Sequence, residues 1–211
     1  MWLKRISSLV WISSIAFFCW LMLDLTLPYL SFESDVDFLA TKQKIIHLRH
    51  WRYSFYAHIM FSIFALTAGL TQFSRYIIRK HKNLHRFMGY IYVGDILLLA
   101  GPSGLIMGFY ANGTIAAKSS FVLLSLLWIV FTLLAFWFAL KKNFFRHRDW
   151  MIRSYALTLS AITLRLFALF LPKWFHMDAF AEYTLIAWLS WTVNLVVAEL
   201  IIFLRRNKPL F

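Results

Sequence analysis

The chain carries seven histidines, His47, His50, His58, His81, His85, His147 and His176. No tight pair of them joins a carboxylate in the manner of a zinc site. Isolated histidines on different helices are instead what an axially ligated haem requires. His81 and His85 have i, i+4 spacing, but two ligands on one face of one helix cannot take opposite sides of a porphyrin. His85 and His147 each stand at the start of an apolar run, which makes them the inner axial candidates for a haem b. His58 is the outer candidate, with His47, His50 or His176 as its partner. A guanidinium fork suits a propionate carboxylate, so Arg153 and Arg165 complete the expected cofactor-binding set.

Ionisable side chains at membrane depth are costly and face the protein interior. Those expected there are Asp24, His58, Asp95, Arg165 and Glu199, with Gln72 and Asn194 as neutral companions. At about 1.5 Å per residue, His58 and Arg165 lie about 10 Å below one boundary and Asp95 near the middle. His58, Ser62, Ala65, Gly69 and Gln72 recur at steps of four and three, as do Ser154, Thr158, Ala161 and Arg165. Small residues let helix backbones approach closely, so these two faces are expected to meet inside the bundle and to turn their charged members into one cavity. The structural alternative pairs Arg165 with Asp24 or Asp95. Gly101, Pro102, Ser103 and Gly104 interrupt an apolar run just after Asp95, a break that suits an ion or ligand site as broken helices do in carriers.

The elements that must hold these residues are membrane helices. Hydrophobic residues make up 61% of the 211 and charged residues 15%, against about 25% charged in soluble domains. Six apolar runs, at residues 6–27, 51–73, 86–109, 119–140, 150–172 and 182–204, each match the roughly 20 residues that cross a bilayer. Pro28 and Pro172 mark the ends of the first and fifth. The expected fold is an all-α, six-helix transmembrane bundle forming a single integral membrane domain over 1–211, its first span retained rather than cleaved as a signal peptide.

Of the 22 basic residues, fifteen fall on one side of this pattern, six on the other, and Arg165 within a span. Cytoplasmic loops hold such an excess, so both termini are expected to be cytoplasmic, in a bacterial inner (plasma) membrane. Topology and anionic headgroups account for the net charge of +13, and nucleic acid is not expected as a partner because the basic residues are split among short loops. The single cysteine, Cys19, excludes an intramolecular disulfide and a CxxC motif. Between the first two spans, residues 28–50 pass from acidic (Glu33, Asp35, Asp37) to amphipathic, an outer interfacial segment or an extension of the second helix. In the latter case His47 and His58 would share a face to within about 20°.

Three stretches together resemble the DUF2306 family of uncharacterised predicted membrane proteins: the histidine-bearing second span ending in AGLTQF at Ala68 to Phe73, LHRFMGYIYV at Leu84 to Val93, and HRDWMIRSYALTLSAITLRL at His147 to Leu166. They cover most of residues 55–170. The resemblance implies six or so helices and makes His58, His85, His147, Arg153 and Arg165 the residues to test. The segment around His85 is also loosely similar to helix starts of cytochrome b561-like and ferric-reductase-like haem proteins, although the fourth and sixth spans hold no histidine. Three functions follow as expectations. The first is a haem b electron-transfer protein with a redox partner, or acting as a homo-oligomer, in the lipid bilayer. The others are a small transporter or proton-coupled carrier using His58, Asp95 and Arg165, and a non-catalytic membrane subunit or scaffold. No dinucleotide fingerprint, P-loop or nucleophile elbow is present.

Overall fold

The computed structural model describes residue 13, residues 16–175 and residues 177–206. Among them every regular element is helical. The first, α1, is a short apolar helix over Ala16–Ser31 whose last turn, Leu27–Ser31, is 3-10 with Pro28 at its start. Then come α2 (Arg49–Gln72), the short α3 (Arg75–Lys80), α4 (Lys82–Phe109), α5 (Ile115–Leu140), α6 (Phe144–Trp174) and α7 (Ala179–Arg206). Of these, α2, α4, α5, α6 and α7 are long and apolar enough to cross a membrane. Five helices rather than six therefore reach spanning length among the described residues. The start of the expected first span lies outside them, as do Lys4, Arg5, His176 and Lys208. Pro172 does not end α6, which runs on to Trp174. In a last turn the missing N–H forfeits one bond and leaves the rest of the ladder intact.

Residues 28–48 do not extend α2. Leu48 is extended (φ −73°, ψ 106°) and the helix begins at Arg49, so His47 is out of line with His58. A 3-10 turn, Asp37–Lys42, opens instead with Asp37 in the left-handed region (φ 43°). In 3-10 geometry residues i and i+3 eclipse, and Leu39 and Lys42 are both buried by it. Leu39 packs with Trp51 and Phe55 at the start of α2, which lays this turn over one end of the bundle.

Each spanning helix packs on its sequence neighbour, α2 also reaches α6, and α7 also reaches α5. Two of the helices depart from α geometry. Within α4, Ile96–Ala100 forms a π turn, closed by the Gly101 N–H on the Ile96 carbonyl, next to Pro102, which supplies no N–H. α6 relaxes at Leu159, where φ and ψ are −69° and −10°.

The core joins α2, α4, α5, α6 and α7 through Ala65, Ala68, Tyr92, Ile96, Trp128, Tyr155 and Trp191. Members of both small-residue faces pack here, each against aromatic rings. Gly69 lies against the Tyr155 ring so closely that a Cβ would stand 2.3 Å from Cε2. The Tyr92 hydroxyl bonds the Ser154 and Thr158 hydroxyls at 2.8 and 2.9 Å. Thr132 joins Ser154 at 2.7 Å, and Trp128 Nε1 donates to Thr158 at 3.0 Å. Every hydroxyl in this buried cluster is thus satisfied, as burial demands.

Candidate functional site

Where α2 and α6 diverge beyond that cluster they leave a cavity of about 550 Å³, covered by the Asp37–Lys42 turn and bordered by α1, α4 and α5. His58, Arg165, Lys42 and Asp37 line it, together with Thr158 and Trp128 from the hydroxyl cluster at its floor. Its walls are otherwise mostly apolar, with Phe55, Leu66 and Met107 among them. That size, and a few polar groups in an apolar wall, are typical of a small-molecule site.

The broken stretch of α4 sets the His58 ring. Its Nδ1 lies 2.9 Å from the Ala100 carbonyl, the last residue of the π turn, and that carbonyl also accepts from Ser103 Oγ at 3.1 Å. A carbonyl only accepts, so Nδ1 carries the proton, and in the neutral ring Nε2 is then the lone pair. Nε2 has no hydrogen-bond partner among the described residues. The ring sits close against Gly104, where a Cβ would come within 2.9 Å of Cε1 and 3.0 Å of Nδ1. The glycines and proline at this break therefore shape a histidine pocket while its freed carbonyls are satisfied, as a membrane interior requires.

Arg165 stands across the cavity on α6. Its guanidinium donates to the Ala161 carbonyl one turn earlier, at 2.9 Å, and makes no ion pair among the described residues. The expected pairing with Asp24 or Asp95 does not form. Asp24 is exposed at the end of α1 and Asp95 lies in the core away from the cavity. Arg165 keeps accessible surface where it borders the cavity, so its charge is presented to whatever enters.

Lys42 had no signal in its spacing beyond a place in an amphipathic segment. It is 3% exposed, and its ammonium donates to the Tyr110 carbonyl and Asn112 Oδ1, each at 2.6 Å. Burial, reinforced by the Lys118 charge, pushes its pKa down to about 8. These bonds tie the covering turn to the loop after α4, and Tyr29 assists by accepting the Phe38 N–H through its hydroxyl.

Other expected residues lie elsewhere. His50 bonds the Tyr110 hydroxyl at 2.9 Å outside the cavity, and His47 is exposed. At the opposite end of the bundle, His147 Nδ1 donates to the Ala135 carbonyl at 2.8 Å, and His85 Nδ1 is buried without a partner. His85 and His147 are close enough for their charges to interact, and neither borders the cavity. Arg153 does not stand free: its Nη2 donates to Glu199 Oε2 at 2.9 Å, its Nε to Oε1, and its guanidinium covers the Trp150 ring at 4.6 Å. Glu199, expected to be buried, has 53% of its side chain exposed. Among the described residues no three His, Cys, Asp or Glu side chains converge to hold a metal ion.

The family described as Predicted membrane protein (DUF2306) matches residues 55–202, which takes in the cavity walls from α2 to α7. Among curated proteins and solved structures, none matches the chain.

Proposed function

The chain belongs to the DUF2306 family of predicted membrane proteins, and from that premise we propose that the His58–Arg165 cavity is the binding site of a haem b in a membrane electron-transfer protein. The observation that carries this reading is the fixed His58 ring, with Nδ1–H on a backbone carbonyl and Nε2 free toward an apolar cavity. Metal-ligating histidines are oriented by such a second bond. Arg165, paired with no carboxylate among the described residues, is the partner for one propionate. The haem would supply one-electron chemistry, while the chain binds it, excludes water and balances its charge. His147 repeats the carbonyl-bound arrangement at the far end, so His85 and His147 stand as the inner ligand pair of the same scheme.

The full arrangement we propose has six membrane helices, with residues 6–27 completing the first. Both termini and the basic loops lie in the cytoplasm of a bacterial cell, and the covering turn and cavity lie on the outer side. The π turn and glycine–proline break beside the cavity also favour a second reading, a proton-coupled carrier. Solute flux in proteoliposomes that Arg165→Ala abolishes, in a preparation that holds no haem, would replace the first reading by the second.

The test is an absorption spectrum of detergent-purified protein from cells fed a haem precursor, oxidised and then reduced with dithionite. A Soret band and a reduced α-band are expected, lost in His58→Ala and weakened in Arg165→Ala. A colourless folded protein after haem supplementation, or a spectrum indifferent to His58→Ala, overturns the assignment.

A further inference from the structure

Midway along α4, Asp95 is 7% exposed, and both of its carboxyl oxygens are buried without a hydrogen-bond partner. The Ala65 backbone of α2 lies beside it without reaching hydrogen-bond geometry. Among the described residues no charged side chain pairs with it, and Arg79 and Lys80 of α3, which also packs on α4, are exposed. On α2 the titratable neighbour in the interior is His58, which is turned to the cavity and held by Ala100. α5 carries no ionisable residue between Lys118 and Lys141. On α6 the inward group is Tyr155, whose hydroxyl is taken by the Leu66 carbonyl. Tyr92, on α4 itself, is committed to Ser154 and Thr158.

An ionised carboxylate stripped of water, donors and counter-ion is several kcal/mol too costly to persist, by roughly the margin that makes such groups neutralise instead. Something positive must therefore reside on it. We propose that Asp95 is a proton-binding site in the membrane interior, its carboxyl carrying a proton as the resident cation. For packing alone asparagine or leucine would fill this position, and what a carboxyl adds is an exchangeable proton. Its place gives that proton a mechanical connection. Asp95 immediately precedes the π turn Ile96–Ala100, and the carbonyl at the turn's other end holds His58. π turns are loosely bonded and recur at functional positions, so gain or loss of charge at Asp95 acts on the same turn that sets the cavity histidine. None of this depends on what occupies the cavity.

Infrared spectroscopy of the whole protein in lipid vesicles at neutral pH reads the site directly. The expected result is a protonated-carboxyl carbonyl stretch that moves down in heavy water, moves again with carbonyl-¹³C aspartate and is lost in Asp95→Asn. If Asp95→Asn fails to fold, Asp95→Glu decides: its band should lie at a shifted position and no longer respond to carbonyl-¹³C aspartate. A carboxylate stretch in its place overturns the proposal. So does loss of the protonated band when potassium is exchanged for sodium, which would make the resident cation a sodium ion.

Discussion

Arg153 and Arg165 lie on the same helix, twelve residues apart, and the fold treats them in opposite ways. Arg153 meets Glu199 of α7 through two hydrogen bonds and stacks on Trp150. Among the described residues Arg165 hydrogen-bonds only a carbonyl of its own helix, and it borders an open cavity. Between them α6 relaxes at Leu159. On one side of that point α6 packs tightly against α2 and α5, with glycine against tyrosine and each hydroxyl engaged. On the other it stands back and leaves space. An arginine answered by the protein is part of its architecture, and one left unanswered at membrane depth is a request for an outside anion.

The largest effect expected from testing this contrast is at the close-packed region. Gly69→Ala places a methyl group 2.3 Å from Tyr155 Cε2 and 3.0 Å from Tyr92 Cε2. Both rings are pinned by hydrogen bonds, so thermal unfolding in detergent should show a loss at the upper end of the about 1–3 kcal/mol that overpacking costs. An unchanged midpoint would mean that the rings have room and that the contrast in packing is overstated.

Exchanging the two arginines for alanine comes next. Arg153→Ala should cost about 1 kcal/mol, since Glu199 is more than half exposed and recovers solvation when its partner goes. Arg165→Ala should leave stability unchanged or raise it, while removing affinity for an anionic amphiphile. Equal losses of stability from the two variants would erase the distinction drawn between them.

A further effect is in pH. Lys42 in the unfolded chain holds its proton to about 10.5 and in the folded one releases it near about 8. Between those values unfolding takes up a proton, so stability rises with pH. Below about 8 the cost of burying the charge is constant. The thermal midpoint of the native protein relative to Lys42→Met should therefore climb through the window from about 8 to about 10.5. A difference independent of pH would show that the covering turn does not bury a charged lysine.

Hydropathy made α2, α4, α5, α6 and α7 legible in the sequence, because a bilayer demands length and apolarity and little else. The two small-residue faces were also legible, since a helical period fixes which residues share a side. It placed His58 and Arg165 at one level, and they do line one cavity. What lay beyond the sequence were partnerships between helices. Arg153 and Glu199 are 46 positions apart, and no local period announces which arginine finds an acid. Asp24 and Glu199 looked buried because they fall in or beside apolar runs, but a run says nothing about which face a residue takes. The burial of Lys42 depends on a 3-10 turn whose geometry is set by Asp37 at positive φ and by Leu39 seating on Trp51 and Phe55.

The π turn amounts to one residue more than a regular helix would use over the same rise. Winding Ile96–Ala100 evenly with no residue removed would swing Lys82–Asp95 by about 100° against Gly101–Phe109. Tyr92 would then leave Ser154, or Gly104 would leave His58. An evenly wound helix can satisfy the buried hydroxyls or seat the cavity histidine, and the inserted residue is the phase shift that lets one helix do both.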